Sequence, residues 1–203
     1  MEHTKKPQII IVSGPSGSGK GTVIDLLPAS FKKAVSMTTR TIRPGEIDGV
    51  DYIFISKERF EQLIEEGGML EYNCYAGRFY GTPRSEITDT LAQGRHVVLD
   101  IDVNGARNIR KLYPEARTVF IMPPDLRTQR KRLIGRNTET PDTIAARIEV
   151  THAEIACARE FDCIIINRDG GVKEAARQLE AFAEGILPDQ SGVAELIANY
   201  FQE

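Results

Sequence analysis

Apolar runs of strand length recur along the chain, with helical patterns between them. Gln8–Ser13, Ala34–Thr38, His96–Asp102, Thr118–Met122 and Cys163–Asn167 read as strands. Near-continuous runs such as Val97-Val98-Leu99 and Ile164-Ile165-Ile166 suit strands covered on both faces, as in a parallel sheet. The stretches 20–29, 83–93, 104–112, 125–135, 141–160 and 171–185 carry helical periodicity. Asp125 follows Pro123-Pro124 and is placed to cap its helix, and Asp142 falls in a first turn after Pro141. Such alternation predicts a three-layer α/β domain around a parallel sheet.

Residues 36–82 break that rhythm. They are rich in Gly, Tyr, Thr and Arg, with strand-like pieces at 51–55 and 69–73 and a short helix at 57–66. A loop of that length without structure is disfavoured, so the stretch predicts a small inserted α+β subdomain. Gly135 to Thr140 is irregular and links two basic helical patterns, as a lid would. After a Pro-Asp-Gln-Ser-Gly break, Val193–Phe201 reads as a last helix, packed on the domain or on a partner subunit. The expected organisation is one domain over 7–186 and a helical tail over 187–203. The domain has its core at 7–35 and 83–186, the insertion at 36–82 and a lid at about 135–147.

Composition narrows the partners. The chain has 203 residues, 41% hydrophobic, with a formal net charge of −3. That balance argues against an electrostatic grip on nucleic acid or an anionic membrane. Cys74, Cys157 and Cys163 form no C-x-x-C pair and leave one over, as reduced thiols of a cytoplasmic protein do. No apolar stretch reaches membrane-spanning length, and the first residues lack the apolar core of a signal peptide. A homo-oligomer is left open.

Chemistry enters after the first strand. Gly14-Pro15-Ser16-Gly17-Ser18-Gly19-Lys20-Gly21-Thr22 lies between a strand and a helix start, the context of a phosphate-binding P-loop. Successive backbone N–H groups there form a concave anion site, and the helix N-terminus adds its positive dipole end. Lys20 is long enough to reach the β- and γ-phosphates of a bound nucleoside triphosphate. An ordinary Gly/Ser turn would need neither the strand context nor the lysine. The usual hydroxyl after Gly-Lys is replaced by Gly21, and it arrives one residue later at Thr22. The Gly-Lys-Gly-Thr order resembles adenylate kinases. No direct metal ligand is assigned: Mg²⁺ is expected to be held through waters from Thr22 or Asp100, the acid that ends the Val97-Val98-Leu99 strand.

A second cluster follows at 36–55. Arg40 and Arg43 can offer forked donors to one phosphate, Tyr52 a phenolic donor, and Glu46 can orient an arginine. Alone, this reads equally well as a solvated charged loop. The spacing of Thr38-Thr39-Arg40, Arg43, Glu46, Gly49, Tyr52 and Phe54, however, is similar to the signature of guanylate kinases. The likeness continues through Met69-Leu70-Glu71-Tyr72, Tyr80-Gly81-Thr82, Asp100-Ile101-Asp102-Val103-Asn104-Gly105-Ala106, Arg132, Arg136 and Arg147, and spans residues 8–185.

The resemblance implies an Mg²⁺-dependent transfer of the γ-phosphate of ATP to GMP or dGMP, in purine nucleotide metabolism and GMP recycling. It implies a P-loop nucleotide kinase fold in which 36–82 binds GMP. By the same resemblance, Arg40, Arg43, Tyr52 and Tyr80 hold the GMP phosphate, with Glu46 beside them. Ser36, Glu71, Thr82 and Asp102 read the guanine. Arg132, Arg136 and Arg147 close over the triphosphate, and Asn167 reads the adenine of ATP. Lys20, Arg43, Arg136, Arg147 and Asp100 form the catalytic group. Two departures stand out: Asn104 where many members carry Gln, and Arg168 where an acid usually follows Asn167, with Asp169 one later. Competing readings are an adenylate kinase, a ribose-bisphosphate kinase, and a non-catalytic guanylate-kinase-like interaction module.

Overall fold

The computed structural model describes residues 6–75, 77–135 and 141–202. In chain order the first elements are β1 (Ile9–Ser13), α1 (Lys20–Asp25), β2 (Phe31–Lys33), β3 (Met37–Thr38), β4 (Ile53–Phe54), α2 (Lys57–Glu65), β5 (Met69–Tyr75), β6 (Arg78–Pro83) and α3 (Arg84–Ala92). Then follow β7 (His96–Asp100), α4 (Val103–Leu112), β8 (Arg117–Met122), α5 (Leu126–Ile134), α6 (Pro141–Ala156), β9 (Cys163–Ile166), α7 (Val172–Ala183) and α8 (Val193–Asn199). The larger sheet has the order β2-β7-β1-β8-β9, and its β2–β7, β1–β8 and β8–β9 pairs are parallel. The smaller sheet has the order β4-β3-β6-β5.

The chain falls into two compact units. One comprises Ile10–Pro28, Asp100–Ala106 and the described residues of Arg117–Glu203. In it Val119 to Met122 of β8 are all fully buried, so both faces of that strand are covered. Phe120 and Met122 share a core cluster with Ile155 of α6, Ile164 of β9, and Val193 and Tyr200 of the tail. Helix α7 presents Ala175, Ala176, Leu179, Phe182 and Ala183, one amphipathic stripe, to the buried side. The expected cap at α5 is present: Asp125 accepts the Thr128 N–H at 2.6 Å.

The C-terminal tail packs on its own chain. β9 is last in the order of its sheet, and the Gln190 amide treats it as a partner strand would. Gln190 Oε1 accepts the Ile164 N–H at 3.0 Å, and its Nε2 donates to the Ile164 carbonyl at 3.1 Å. Both main-chain groups of an edge residue are thereby satisfied.

The other unit comprises Ala29–Leu99, Arg107–Ala116 and the described residues of Met1–Ile9. Its small sheet is antiparallel at β3–β6 and β5–β6 and parallel at β3–β4. Phe60 of α2 is fully buried, stacked on Phe79 at 5.2 Å and edge-on to Tyr72 at 6.4 Å.

Here the expected Ala34–Thr38 strand is corrected, because that run is divided between two sheets. Ala34 N–H makes the last ladder bond, to the Val98 carbonyl at 2.9 Å. Val35 N–H turns to the Glu86 carboxylate at 3.1 Å, and the Ser36 carbonyl already accepts Ile53 N–H at 2.9 Å on the way into β3. The true strand β2 lies just before, at Phe31–Lys33, where Arg95 holds the Ala29 and Phe31 carbonyls at 2.8 and 2.7 Å. Residues 136–140, the centre of the expected lid, lie outside the described residues, and Arg136 is among them. The segment that follows, Pro141–Ala156, is helix α6. Among the described residues no helix is long and apolar enough to cross a membrane.

Candidate active site

In the first unit, the loop between β1 and α1 is shaped by glycine. Gly14 has φ +138°, and a Cβ there would lie 2.0 Å from the Ile121 carbonyl oxygen. Gly19, at φ +82°, enters α1, and a Cβ there would meet Asn167 Nδ2 at 2.5 Å. Between them, Ser18 N–H closes a turn on the Pro15 carbonyl at 3.1 Å. Lys20 opens α1, and its Nζ donates to the Gly14 carbonyl and to that of Pro15 at 3.5 Å. The ammonium is thus folded back over the loop. Gly21 has open space where a side chain would be, and Thr22 is exposed.

Around this loop stand polar groups from distant elements. Arg132 of α5 donates through Nη2 to the Asn167 carbonyl at 2.9 Å and to Asp169 at 3.0 Å. Lys131 also reaches Asp169, at 3.2 Å, and the two cations hold the Asp169 carboxyl below its ordinary range. The acid displaced by Arg168 therefore still meets an arginine. Arg147 of α6 donates to Ser16 Oγ at 2.5 Å. Asn167 Nδ2 donates to the Ser18 carbonyl at 2.8 Å, which fixes the amide orientation. Its Oδ1 is buried, without a hydrogen-bond partner among the described residues. A buried acceptor of that kind is costly unless something donates to it. Gly19, Thr22, Arg132, Asn167, Arg168 and Asp169 line a cavity of about 300 Å³.

Asp100 ends β7. Asp102 caps α4, with Oδ1 accepting the Gly105 N–H at 2.7 Å and its carbonyl the Ala106 N–H at 2.9 Å. Glu154 of α6 is a half-buried carboxyl that nothing in its sequence surroundings singles out. Burial raises its pKa, with Asp102 adding to the rise and Lys20 opposing it, so it lies within electrostatic range of both.

The second unit carries the other set. Register places Glu71 of β5 directly opposite Thr82 of β6, and Thr82 Oγ1 donates to Glu71 Oε1 at 2.9 Å. A bulge between Met69 and Glu71 sets that alignment. Tyr80, two residues before Thr82, lies on the same face of β6. Its ring meets that of Tyr52 edge-on at 6.0 Å. Arg40 makes a two-pronged pair with Glu46, at 2.9 and 2.7 Å, and its guanidinium lies 5.5 Å from the centres of both the Tyr52 and Phe54 rings. Glu46 also accepts the Arg43 N–H at 2.8 Å, while the Arg43 side chain is exposed. Ser36 lies just before β3, its carbonyl paired to Ile53.

The Arg40 hydrogen bond, then the Arg43 N–H, hold the Glu46 carboxyl below its ordinary range. A carboxyl lowered by folding contributes stability fully above its unfolded pKa, about 4.3 for Glu, and loses it as pH falls through the folded value. The thermal midpoint of Glu46→Gln is therefore expected to lie below that of the wild type at neutral pH, with the gap closing under acid. Melting curves between about pH 3 and 7 check this, and a gap independent of pH would contradict it.

A glycine-shaped loop between a parallel strand and a helix, covered by a lysine and approached by arginines, defines an α/β P-loop protein of the nucleotide-kinase type. The guanylate kinase family model matches residues 6–185. The chain is 48% identical over 163 residues to the guanylate kinase of Streptococcus pneumoniae (strain ATCC BAA-255 / R6), covering 78% of each. It is 41% identical over 202 residues to that of Clostridioides difficile (strain 630), covering 98% of each. Among solved structures, guanylate kinase from Anaplasma phagocytophilum superposes with a TM-score of 0.69 at 27% identity, over 94% of this chain and 93% of that one. The chain belongs to the guanylate kinase family.

Proposed function

We propose that the protein transfers the γ-phosphate of ATP to GMP, giving ADP and GDP, and takes dGMP as well. The observation that carries this reading is the Glu71–Thr82 pair across β5 and β6, on the sheet next to the Arg40–Glu46 clamp. Guanine presents N1–H and N2–H₂ as adjacent donors, and a carboxylate is their matching double acceptor. Adenine would set an unprotonated N1 against that carboxylate, a mismatch able to discriminate by about 10⁴-fold. Ser36 and Asp102 complete the base-reading set, and Arg40, Arg43, Tyr52 and Tyr80 take the phosphate.

On the donor side, the loop from Gly14 to Thr22 cradles the ATP phosphates, and Lys20 swings from its carbonyl contacts to the β- and γ-oxygens. Asn167 Oδ1, buried and lacking a protein donor among the described residues, suits the adenine amino group. Arg132, Arg147 and Arg136, the last outside the described residues, spread the charge of the transferring phosphoryl group. A phosphate monoester acceptor needs no strong base, so Asp100 serves to orient and not to abstract a proton.

Thr22 and Asp100 offer hard oxygen donors of the kind Mg²⁺ takes, directly or through waters. Bound there, the ion would neutralise charge across the β- and γ-phosphates. The three cysteines, with no C-x-x-C spacing and an odd number, suit a reducing, cytoplasmic setting.

A substrate panel tests the reading: ATP with GMP, dGMP, AMP, IMP and ribose phosphates, following ADP release. GMP and dGMP are expected to lead. AMP leading would make this an adenylate kinase, and a ribose phosphate leading would make it a sugar-phosphate kinase. No turnover with any of them would favour the interaction module.

A further inference from the structure

Gln129 lies on the buried stripe of α5 between Leu126 and Leu133, fully enclosed. Its Nε2 donates to the carbonyl of Ser16 in the phosphate loop at 2.7 Å and to Thr151 Oγ1 of α6 at 2.8 Å. Its Oε1 accepts the hydroxyl of Tyr200, just after α8, at 3.0 Å. Thr151 and Tyr200 are also fully buried. Thr151 passes its own hydroxyl hydrogen to the Arg147 carbonyl at 2.9 Å, and Arg147 binds Ser16 Oγ.

We propose that Gln129 and Tyr200 are positioning residues for phosphate transfer: through the Tyr200 hydroxyl, the C-terminal tail holds the Gln129 amide in the one orientation that anchors the phosphate loop. This rests on the reading that loop 14–22 binds ATP. Ser16 O is an acceptor, and Thr151 Oγ1, its hydrogen already committed, is another. Both need the two hydrogens of Nε2, so a flipped amide would face two acceptors with its oxygen. In the working orientation the Tyr200 hydroxyl adds a third bond by donating to Oε1, so all three polar groups around the amide are paired. Burial raises the Tyr200 pKa, which keeps it a donor. The Tyr200 carbonyl accepts the Leu126 N–H at 3.1 Å, which ties the tail to the first turn of α5.

Gln129 backs the loop at a second point. A Cβ at Gly17, where φ is +83°, would come within 3.3 Å of Gln129 Cγ and of its carbonyl oxygen. Ser16 is therefore held at its carbonyl by the buried Gln129 and at its hydroxyl by the exposed Arg147, and Thr151, bonded to both Gln129 and the Arg147 carbonyl, joins the two holds. The family match ends at residue 185, so Tyr200 lies beyond it.

The test is steady-state kinetics at 25 °C beside thermal melting, on Tyr200→Phe, Gln129→Leu and the double variant. Tyr200→Phe is expected to raise the KM for ATP about fivefold and Gln129→Leu about tenfold, with the KM for GMP within about twofold of wild type. The double variant removes the Tyr200 hydroxyl that Gln129→Leu alone leaves unpaired, so it is expected to melt higher than Gln129→Leu. It should still show the ATP defect of Gln129→Leu alone, because Tyr200 acts through Gln129. A purely structural pair would make ATP affinity follow the melting point.

Wild-type KM for ATP and kcat in Tyr200→Phe, or ATP effects that add in the double variant, would overturn the proposal. If a single variant fails to fold, a folded double variant with wild-type KM for ATP overturns it equally. Lys20→Ala in the same ATP titration separates the two readings. Unchanged affinity there removes the donor role of the loop, whereas affinity lost there but kept in the relay variants removes the relay alone.

Discussion

Lys20→Ala is expected to lower kcat by about 10³-fold while leaving the fold almost untouched, because preorganised cations on a transferring phosphoryl group are worth that much or more. Lys20 is the first residue of α1 and is half-exposed. Its Nζ donates to the Gly14 and Pro15 carbonyls of the phosphate loop. Losing such bonds costs about 1 kcal/mol of stability, a shift of only a few degrees in a chain of this size. Turnover from a coupled ADP assay and the melting midpoint of the same preparation check both halves. A collapsed melting transition would make Lys20 a structural residue of the loop. Full activity would remove Lys20 from the catalytic group.

Glu71→Gln is expected to lower kcat/KM for GMP by about 10²-fold or more and to leave the KM for ATP within about twofold. The amide oxygen of the variant can still accept the Thr82 hydroxyl hydrogen, so the β5–β6 pair keeps its bond. What changes is the second position, where an NH₂ group now faces a guanine donor. The same NH₂ can donate to adenine N1, so the preference for GMP over AMP should fall further than GMP turnover does. Equal losses for GMP and ATP would mean that Glu71 supports the fold and does not read the base.

Legibility in the sequence follows locality. β1 and β8 announce themselves because a strand buried on both faces must be apolar throughout, and α5 because Asp125 caps it. β6 does not, since Arg78-Phe79-Tyr80-Gly81-Thr82-Pro83 carries a glycine and a proline and shows no clean alternation. It is a strand because β5 and β3 pair with it from both sides. The run Ala34–Thr38 looked like one strand because periodicity cannot register that a chain changes sheets at Val35. Gln129 and Thr151 did leave a signal, as polar residues on otherwise apolar helical stripes, but a sequence does not say what such residues face.

By itself the sequence determined the loop from Gly14 to Thr22 and the Arg40–Glu46 neighbourhood, since each is built within a few consecutive residues. It also determined the alternation of strands and helices, because burial imposes its own period on each. Only the tertiary structure decided the contacts made across long separations. Glu71 meets Thr82 through a bulged register, and Gln129 meets Ser16 across 113 positions. Asn167 meets Ser18 across 149, and Tyr200 meets Gln129 across 71. Pairings of that kind depend on where whole elements dock, which is settled by the packing of a core and not by any neighbour along the chain.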